Sequence, residues 1–441
     1  MSDTSTKSVP DWWQRERQRR QAWILIFLVF LLGLIGYFYW VSAYGVIGNR
    51  IGVNFDTANY LSFINVDEKG NPSLYAIRAD GTDLRRLTPE TDKSNKQNPM
   101  WTADGKNVLY SSTNNPNQVM QIYIMESAGA KQLTYGTGNK FSPSPVPSSQ
   151  LITFLTQGAV KTVLLNGEDV HQVMPLPQAG HEEGSEGAVV GELRGPYLWA
   201  QYSPAGDNLA AIQSLSSEDN PHNLGSFSAG DQVLRAIVHG KNAFLDSGRE
   251  VGACWEAKGK RLLCTFAEYH IPTGKDRPKE FDVSEFKNVE FVSGMRIWNF
   301  EGDKQETRSI FVAFGYTIEP RNPTWSPDGA LVAMEVWSHK KDGEKVLKGI
   351  AVLDISKEGT FAVRNQTDVD SFKTMIPVTA DGSPQRPVFS PDGARILFEV
   401  AKPKGGRDIW VVNTDGTGKR NLTESLKGES SQAVWTPLKK L

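Results

Sequence analysis

The sequence predicts an all-β fold: a seven-bladed β-propeller, with six or eight blades as the neighbouring counts, preceded by one N-terminal transmembrane α-helix. Three observations predict it: a recurring unit of the form Trp-Ser-Pro-Asp-Gly, 40 Gly and 24 Pro among 441 residues, and one uncharged apolar stretch from Ala22 to Val41. Gly and Pro at that level punctuate a turn-rich β protein rather than a helical one. A hydrophobic share of 39% beside 22% charged residues belongs to a globular chain, neither a disordered polyelectrolyte nor a multi-span membrane protein. With 48 Lys and Arg against 50 Asp and Glu, the chain lacks the basic surface that general nucleic-acid binding requires. Two cysteines exclude a disulfide framework, an iron–sulfur ferredoxin and a cysteine-built zinc site.

The apolar stretch is the first element. Twenty uncharged residues (AWILIFLVFLLGLIGYFYWV) make a helix about 30 Å long at about 1.5 Å per residue, the thickness of a bilayer core. Arg15, Arg17, Arg19 and Arg20 precede it, and the next flank offers only Arg50 before Lys69. Basic side chains are retained on the cytoplasmic side, so the N-terminus is expected inside and the remainder outside. Residues 1–21 carry a formal +2 and the part beyond the span −4, which agrees with that orientation. Trp12, Trp13, Arg19, Arg20 and Trp23 are expected at the inner interface, and Tyr37, Tyr39 and Trp40 at the outer one. A cleaved signal peptide with a Val41-Ser42-Ala43 site is the competing reading; the run exceeds the roughly 7–15 apolar residues of such peptides and is rich in bulky aromatics. The organisation is thus a basic cytoplasmic segment 1–21, a transmembrane helix 22–41, a linker 42–58 and a propeller over 59–441.

The repeats come next. Asn322-Pro-Thr-Trp325-Ser-Pro-Asp-Gly329 and Arg386-Pro-Val-Phe389-Ser-Pro-Asp-Gly393 are the clearest copies, and Asn98-Pro-Met-Trp101-Thr-Ala-Asp-Gly105 is a near one. Weaker copies centre on Tyr202, Trp255 and Trp435, and a degenerate one on Ser144, for a mean spacing of about 56 residues. In each, a strand ends at the aromatic residue and Pro-Asp-Gly supplies a tight turn. A second strand such as Arg395 to Val400 follows, then a third such as Asp408 to Val412, then an outer strand ending in Leu-Thr, as at Leu422-Thr423, Leu87-Thr88 and Leu133-Thr134. Four strands per unit, repeated radially, make a propeller. Asn59 to Val66 reads as a second strand and Gln432 to Thr436 as a lone first strand, so the two ends are expected to complete one shared blade.

Trp-Ser-Pro-Asp-Gly, a strand and a Leu-Thr ending together resemble the TolB-type (WD-repeat-like) propeller repeat, over about residues 59–437. The resemblance implies an extracytoplasmic propeller that works as a protein-binding platform. It does not extend to the separate N-terminal domain of that family, whose place a membrane anchor takes here.

Antiparallel alternation puts the Asp-Gly turns on one face and the longest insertions on the other. Those insertions are His181 to Arg194, Ser214 to Asp231, Glu268 to Asn288 and Ser338 to Lys348. Long connections in compact domains are uncommon unless functional or disordered. Glu182, Glu183, Asp219, His222, Tyr269, His270, Lys340 and Lys341 are therefore the candidate partner-contacting residues. The anchor enters on the short-turn face, so this loop face is expected to point away from the membrane.

Catalytic signatures are absent from the sequence: no G-x-S-x-G, H-E-x-x-H, C-x-x-C-H or P-loop occurs. Asp104, Asp328 and Asp392 read as turn residues, and His181-Glu182-Glu183 with Glu186 as a solvated acidic segment rather than an ion site. Trp101, Trp255, Trp325 and Trp435 share one repeat position, which points to inter-blade packing rather than a sugar platform. Cys254 and Cys264 flank one turn, and strand register decides whether a disulfide joins them. The expected function is a non-catalytic binding scaffold or accessory subunit. It would sit in the inner (plasma) membrane by a single span, with protein partners in a membrane complex and no cofactor or metal. A propeller enzyme with carboxylates at the central channel is the alternative.

Overall fold

The computed structural model describes Trp23 and residues 52–437, apart from 176–194, 216–231, 239–240, 249–250, 271–289, 302–305, 315–317, 340–343, 357–358 and 364–373. The chain divides into two compact units, Met1–Arg50 and Ile51–Leu441. Among the described residues no helix is long and apolar enough to cross a membrane. The expected span lies outside them with Trp12, Trp13, Arg19, Arg20, Tyr37, Tyr39 and Trp40; Trp23 alone is described, helical and 71% exposed.

The second unit is a seven-bladed β-propeller of seven separate sheets, antiparallel apart from one outer pair in blade 5. Blade 1 joins Glu429–Trp435 from the end of the chain to Tyr60–Val66, Pro72–Arg78 and Arg85–Arg86. Leu61 pairs with Trp435 and Val66 with Glu429, so the expected shared blade closes the ring. Blade 2 runs from Lys96–Trp101 to Gly129–Gln132, blade 3 from Phe141–Pro145 to His171–Met174, and blade 4 from Tyr197–Tyr202 to Lys241–Gly248. Blade 5 begins at Ala253–Trp255, blade 6 at Ile318–Trp325 and blade 7 at Ser383–Phe389.

The core is distributed rather than central. Seven clusters of buried apolar side chains each draw on two neighbouring blades, such as Tyr60 and Leu74 with Trp101 and Val108 between blades 1 and 2, or Leu263 and Phe311 with Trp325 and Val332 between blades 5 and 6. Middle strands therefore read as nearly continuous apolar runs, as in Arg395–Ala401, because both faces of each sheet are covered. The indole N–H groups stitch the innermost strands together. Trp255 donates to the Gln201 carbonyl (3.0 Å), Trp325 to Cys254 (3.0 Å), Trp435 to Val388 (3.2 Å) and Trp101 to Val434 (3.3 Å). In each case the acceptor is the residue just before the preceding blade's repeat position.

The turns are as local chemistry dictates. Ser326 and Ser390 donate to Asp328 and Asp392 at 2.5 Å, and each Asp accepts an amide two residues on. Gly329 (φ +75°) also lies so close to blade 5 that a Cβ there would sit 2.8 Å from Glu256 Oε1.

Three details differ from the sequence reading. First, blade 3 is displaced by one residue: Pro145, paired with Ile152, occupies the position of Trp101, which pairs with Val108, so the repeat position is 145 and not 144. Second, three insertions begin as ladder rather than loop, one of them by a single residue, Ser214, which pairs with Gln232. Tyr269 pairs with Phe291 and His270 with Glu290, and Ser338 pairs with Val346, so Tyr269 and His270 are strand residues. Third, blade 5 has a fifth strand, Phe361–Val363, supplied by blade 6 and paired in parallel with Glu306–Phe314. Phe361 stacks on Phe311 at 6.1 Å, and the Thr360 hydroxyl donates to the Ser309 carbonyl at 2.7 Å.

The two cysteines are not bonded. Cys264 lies opposite Ala253 and Cys254 opposite Leu263, a one-residue offset that sends the thiols to opposite faces of the sheet. Cys264 packs in the cluster between blades 4 and 5, and Cys254 against the one between blades 5 and 6.

Candidate functional site

The innermost strand of several blades carries a bulge three residues before the repeat position. Asn98, Asn322, Arg386 and Gln432 sit there with φ of +54°, +46°, +53° and +58°, a left-handed conformation that side chains other than Gly adopt rarely. The ladder skips at each: Gln97 pairs with Ser111 and the next pair is Met100 with Leu109; blades 6 and 7 repeat the pattern. A bulge leaves its amide unpaired in its own ladder. The amides at 98, 386 and 432 find their partners across the blade junction.

Glu335 takes the amide of blade 7. Its Oε1 accepts Arg386 N–H and Asn322 Nδ2, and its Oε2 accepts Trp337 Nε1, all at 2.7 Å. Glu399 takes the amide of blade 1, accepting Gln432 N–H at 2.7 Å and Arg407 at 2.9 Å, with the Arg386 guanidinium 3.6 Å away. Gln432 then serves blade 2, its Oε1 accepting Asn98 N–H at 2.5 Å. Glu335 and Glu399 are 2% and 4% exposed, and buried carboxylates are tolerated when so fully partnered. Glu319, also buried, binds Arg321 at 3.0 Å and Lys345 at 3.2 Å.

By register, the position held by Glu335 and Glu399 is Ser111 in blade 2, Leu155 in blade 3 and Ile64 in blade 1. Ile64 offers no acceptor and packs instead in the cluster between blades 1 and 2, Gln432 alone spans the junction to Asn98, and an open pocket of about 500 Å³ lies beside them. Ile64, Val66, Pro72, Lys93, Asn95, Lys96, Gln97 and Gln432 are among its lining residues. Lys96 is wholly buried. It is held by Asp92 at 3.1 Å and by the carbonyls of Pro72, Asp92 and Ser94, while burial pushes its ammonium below the ordinary lysine range against the pull of Asp92.

This junction network lies at the ends of first strands entered from the loop face, the face from which the long insertions leave. Of the candidate contact residues, Glu182, Glu183, Asp219, His222, Lys340 and Lys341 lie outside the described residues, and of Tyr269 and His270 the backbone pairing alone is described. Among the described residues no group of three or more His, Cys, Asp or Glu is placed to hold a metal ion. The carboxylates at the junctions escaped the sequence reading, although a signal existed: Glu335 and Glu399 each stand ten residues after the aromatic of the two strongest repeats.

No family model matches the chain, and no curated protein matches it in sequence. Solved structures do. A puromycin-hydrolyzing peptidase from Mycobacterium tuberculosis aligns at 12% identity and TM-score 0.50 over 85% of this chain and 53% of its own, so the chain spans about half that enzyme. TolB from Acinetobacter baumannii aligns at 14% identity and TM-score 0.44 over 91% of this chain and 70% of its own. An oligogalacturonate lyase in complex with manganese aligns at 14% identity and TM-score 0.46 over 82% and 83%. The chain is a β-propeller whose structural neighbours include TolB, and the likeness is one of fold.

Proposed function

We propose that this chain is a non-catalytic, membrane-anchored propeller. In this reading it acts as a protein-binding scaffold or accessory subunit of a membrane-associated complex on the extracytoplasmic side. The observation that carries the reading is how the loop-face carboxylates are spent. Glu335 accepts three donors, and Glu399 accepts a backbone amide across a blade junction and a guanidinium from its own blade. A general acid or base must exchange a proton with substrate, and groups whose oxygens clamp neighbouring blades are employed otherwise. The apolar stretch at 22–41 and its basic flank support the anchor and the orientation, and the long insertions supply the contact surface.

Purification from native membranes in mild detergent, followed by cross-linking mass spectrometry, tests this. A partner is expected with cross-links to 181–194, 216–231, 271–289 or 340–343, and shortening two of these segments is expected to release it. Recovery of the chain alone, with no cross-linked protein, would sink the proposal. The fold shared with a peptidase keeps an enzyme reading in view, with carboxylates at the central channel as its catalytic groups. That reading requires Glu335→Gln or Glu399→Gln to abolish a turnover while leaving the melting temperature unchanged, whereas the scaffold reading expects the reverse.

A further inference from the structure

We infer that the pocket between blades 1 and 2 is a receptor for an acidic side chain, Asp or Glu, flanked by an aliphatic residue of a partner polypeptide. The inference rests on the protein-binding reading and names the chemistry of one contact within it.

The repeat departs from its polar pattern at this junction. At the junctions of blades 6 with 7 and 7 with 1, a buried glutamate fills the space beside the bulge amide and takes its hydrogen. At the junction of blades 1 and 2 the equivalent residue is Ile64, and the bulge amide of Asn98 is served instead by Gln432 reaching across. Ile64 packs at that position in the cluster between blades 1 and 2, 1% exposed, and the pocket opens beside it with Val66 and Pro72 among its lining residues.

What faces the opening is chiefly donor. Gln432 lines the pocket, and with its Oε1 committed to Asn98 N–H the part of its amide left for a ligand is the Nε2 donor. Lys93, an exposed ammonium that also acts on the Asp67 carboxylate, stands among the lining residues with Asn95 and Gln97, whose side chains make no hydrogen bond among the described residues. Lys96 adds no free charge, since Asp92 neutralises it from behind. No carboxylate lines the pocket. A cation and a fixed N–H donor favour an acceptor of negative charge, and charge-assisted hydrogen bonds of that kind are the stronger ones. No aromatic side chain lines it either, which disfavours a sugar or a nucleobase, both of which stack on such rings. The aliphatic floor beside a single cationic rim matches an acidic residue next to Leu, Ile or Val, and the volume of about 500 Å³ is that of an ordinary ligand pocket.

The test uses the full chain in detergent, titrated calorimetrically with acetyl-Ala-Leu-Glu-Val-Ala-amide, with the same peptide carrying Gln for Glu, and with glutarate. The glutamate peptide is expected to bind about tenfold or more tightly than the other two, a difference of about 1.4 kcal/mol. Photo-leucine in place of its Leu is expected to label 64–72 or 93–97. Lys93→Glu, at an exposed position that the fold does not depend on, is expected to weaken the glutamate peptide by at least the same factor, and Gln432→Leu to weaken it as well. Equal binding of the Glu and Gln peptides, or indifference to Lys93→Glu, overturns the inference. Glutarate binding as tightly as the peptide overturns it in favour of a free dicarboxylate. A native partner that co-purifies while the peptide gives no heat overturns the pocket assignment alone; peptide binding without any native partner counts against the scaffold reading instead.

Discussion

Glu335→Ala removes an acceptor shared by three donors, Asn322 Nδ2, Arg386 N–H and Trp337 Nε1, each at 2.7 Å. A hydrogen bond to a charged group contributes roughly 1.5–3 kcal/mol, and a donor stranded in the interior costs about 1–3 kcal/mol. Asn322 and Arg386 are exposed residues whose polar groups regain water, so their losses fall at the low end, while the half-buried Trp337 indole loses more. The net expectation is about 3–5 kcal/mol. At about 2.1 cal/mol/K per residue, a unit of about 400 residues (Ile51–Leu441) unfolds with about 0.8 kcal/mol/K, so each kcal/mol moves the melting temperature by about 1.2 °C. Calorimetry of the full chain in detergent should therefore record a fall of about 4–6 °C for Glu335→Ala. Glu335→Gln should fall about half as far, because the amide retains one acceptor oxygen but turns an N–H group toward a donor. Glu399→Ala should behave like Glu335→Ala, since it closes the next junction in the same way. If Glu335→Ala melts within about 1 °C of the parent, the inter-blade clamp does not hold the ring and the assignment of these carboxylates to structure is wrong.

Trp325→Phe keeps the ring but loses the 3.0 Å bond to the Cys254 carbonyl and weakens the stacking of Arg261, whose guanidinium lies 4.9 Å above the ring; a loss of about 1–2 kcal/mol is expected by denaturant titration, and none would show that the indole stitch is idle. Phe361→Ala should release the fifth strand of blade 5, seen as lost amide-exchange protection at 311–313 with the other blades unchanged; unaltered protection would mean that the strand does not hold that edge. The Asp80 carboxyl is held below its ordinary range first by the Thr82 hydroxyl, and that of Asp83 first by the Arg85 guanidinium. Their folded values lie below the unfolded value of about 3.9, so the stability they contribute is complete above about pH 4 and is lost as pH falls through the lower folded values. Replacing both by Asn should flatten the acid limb of the stability curve, and an unchanged limb would contradict the shift. Buried Cys264 should alkylate only after unfolding, and melting should not depend on reductant; a native mass lower by two hydrogens would contradict the register.

How far the fold was legible follows from where its determinants lie along the chain. Trp325-Ser-Pro-Asp-Gly329 encodes a strand end and a turn within five residues, so the clear blades were readable from local chemistry. Blade 3 was misplaced by one residue because Phe141-Ser-Pro-Ser-Pro145 has no aromatic at the repeat position; its register is set by the bulge, a backbone feature that leaves no residue-type signature. Phe361–Val363 could not be foreseen at all. Three residues carry too little pattern, and their partner strand lies about 50 residues upstream in another blade.

The candidate site shows the opposite relation to the repeat. Glu335 and Glu399 stand at one offset in the two strongest units, so their structural duty was written in the repeat and needed only alignment to be found. The pocket, by contrast, lies beside Ile64, one of the positions at which the repeat departs from glutamate. Its chemistry is that of a junction where Gln432 holds the backbone amide and an aliphatic side chain packs in place of the carboxylate. In a ring where every conforming unit uses its polar groups on its neighbour, only a non-conforming unit has polar groups left over for a partner. Binding chemistry in this propeller should therefore be sought where the pattern fails, and installing the regular residue there, by Ile64→Glu, should abolish acidic-peptide binding while recreating the clamp on Asn98. If that variant still binds the glutamate peptide as the parent does, the aliphatic residue at 64 is not what makes the pocket.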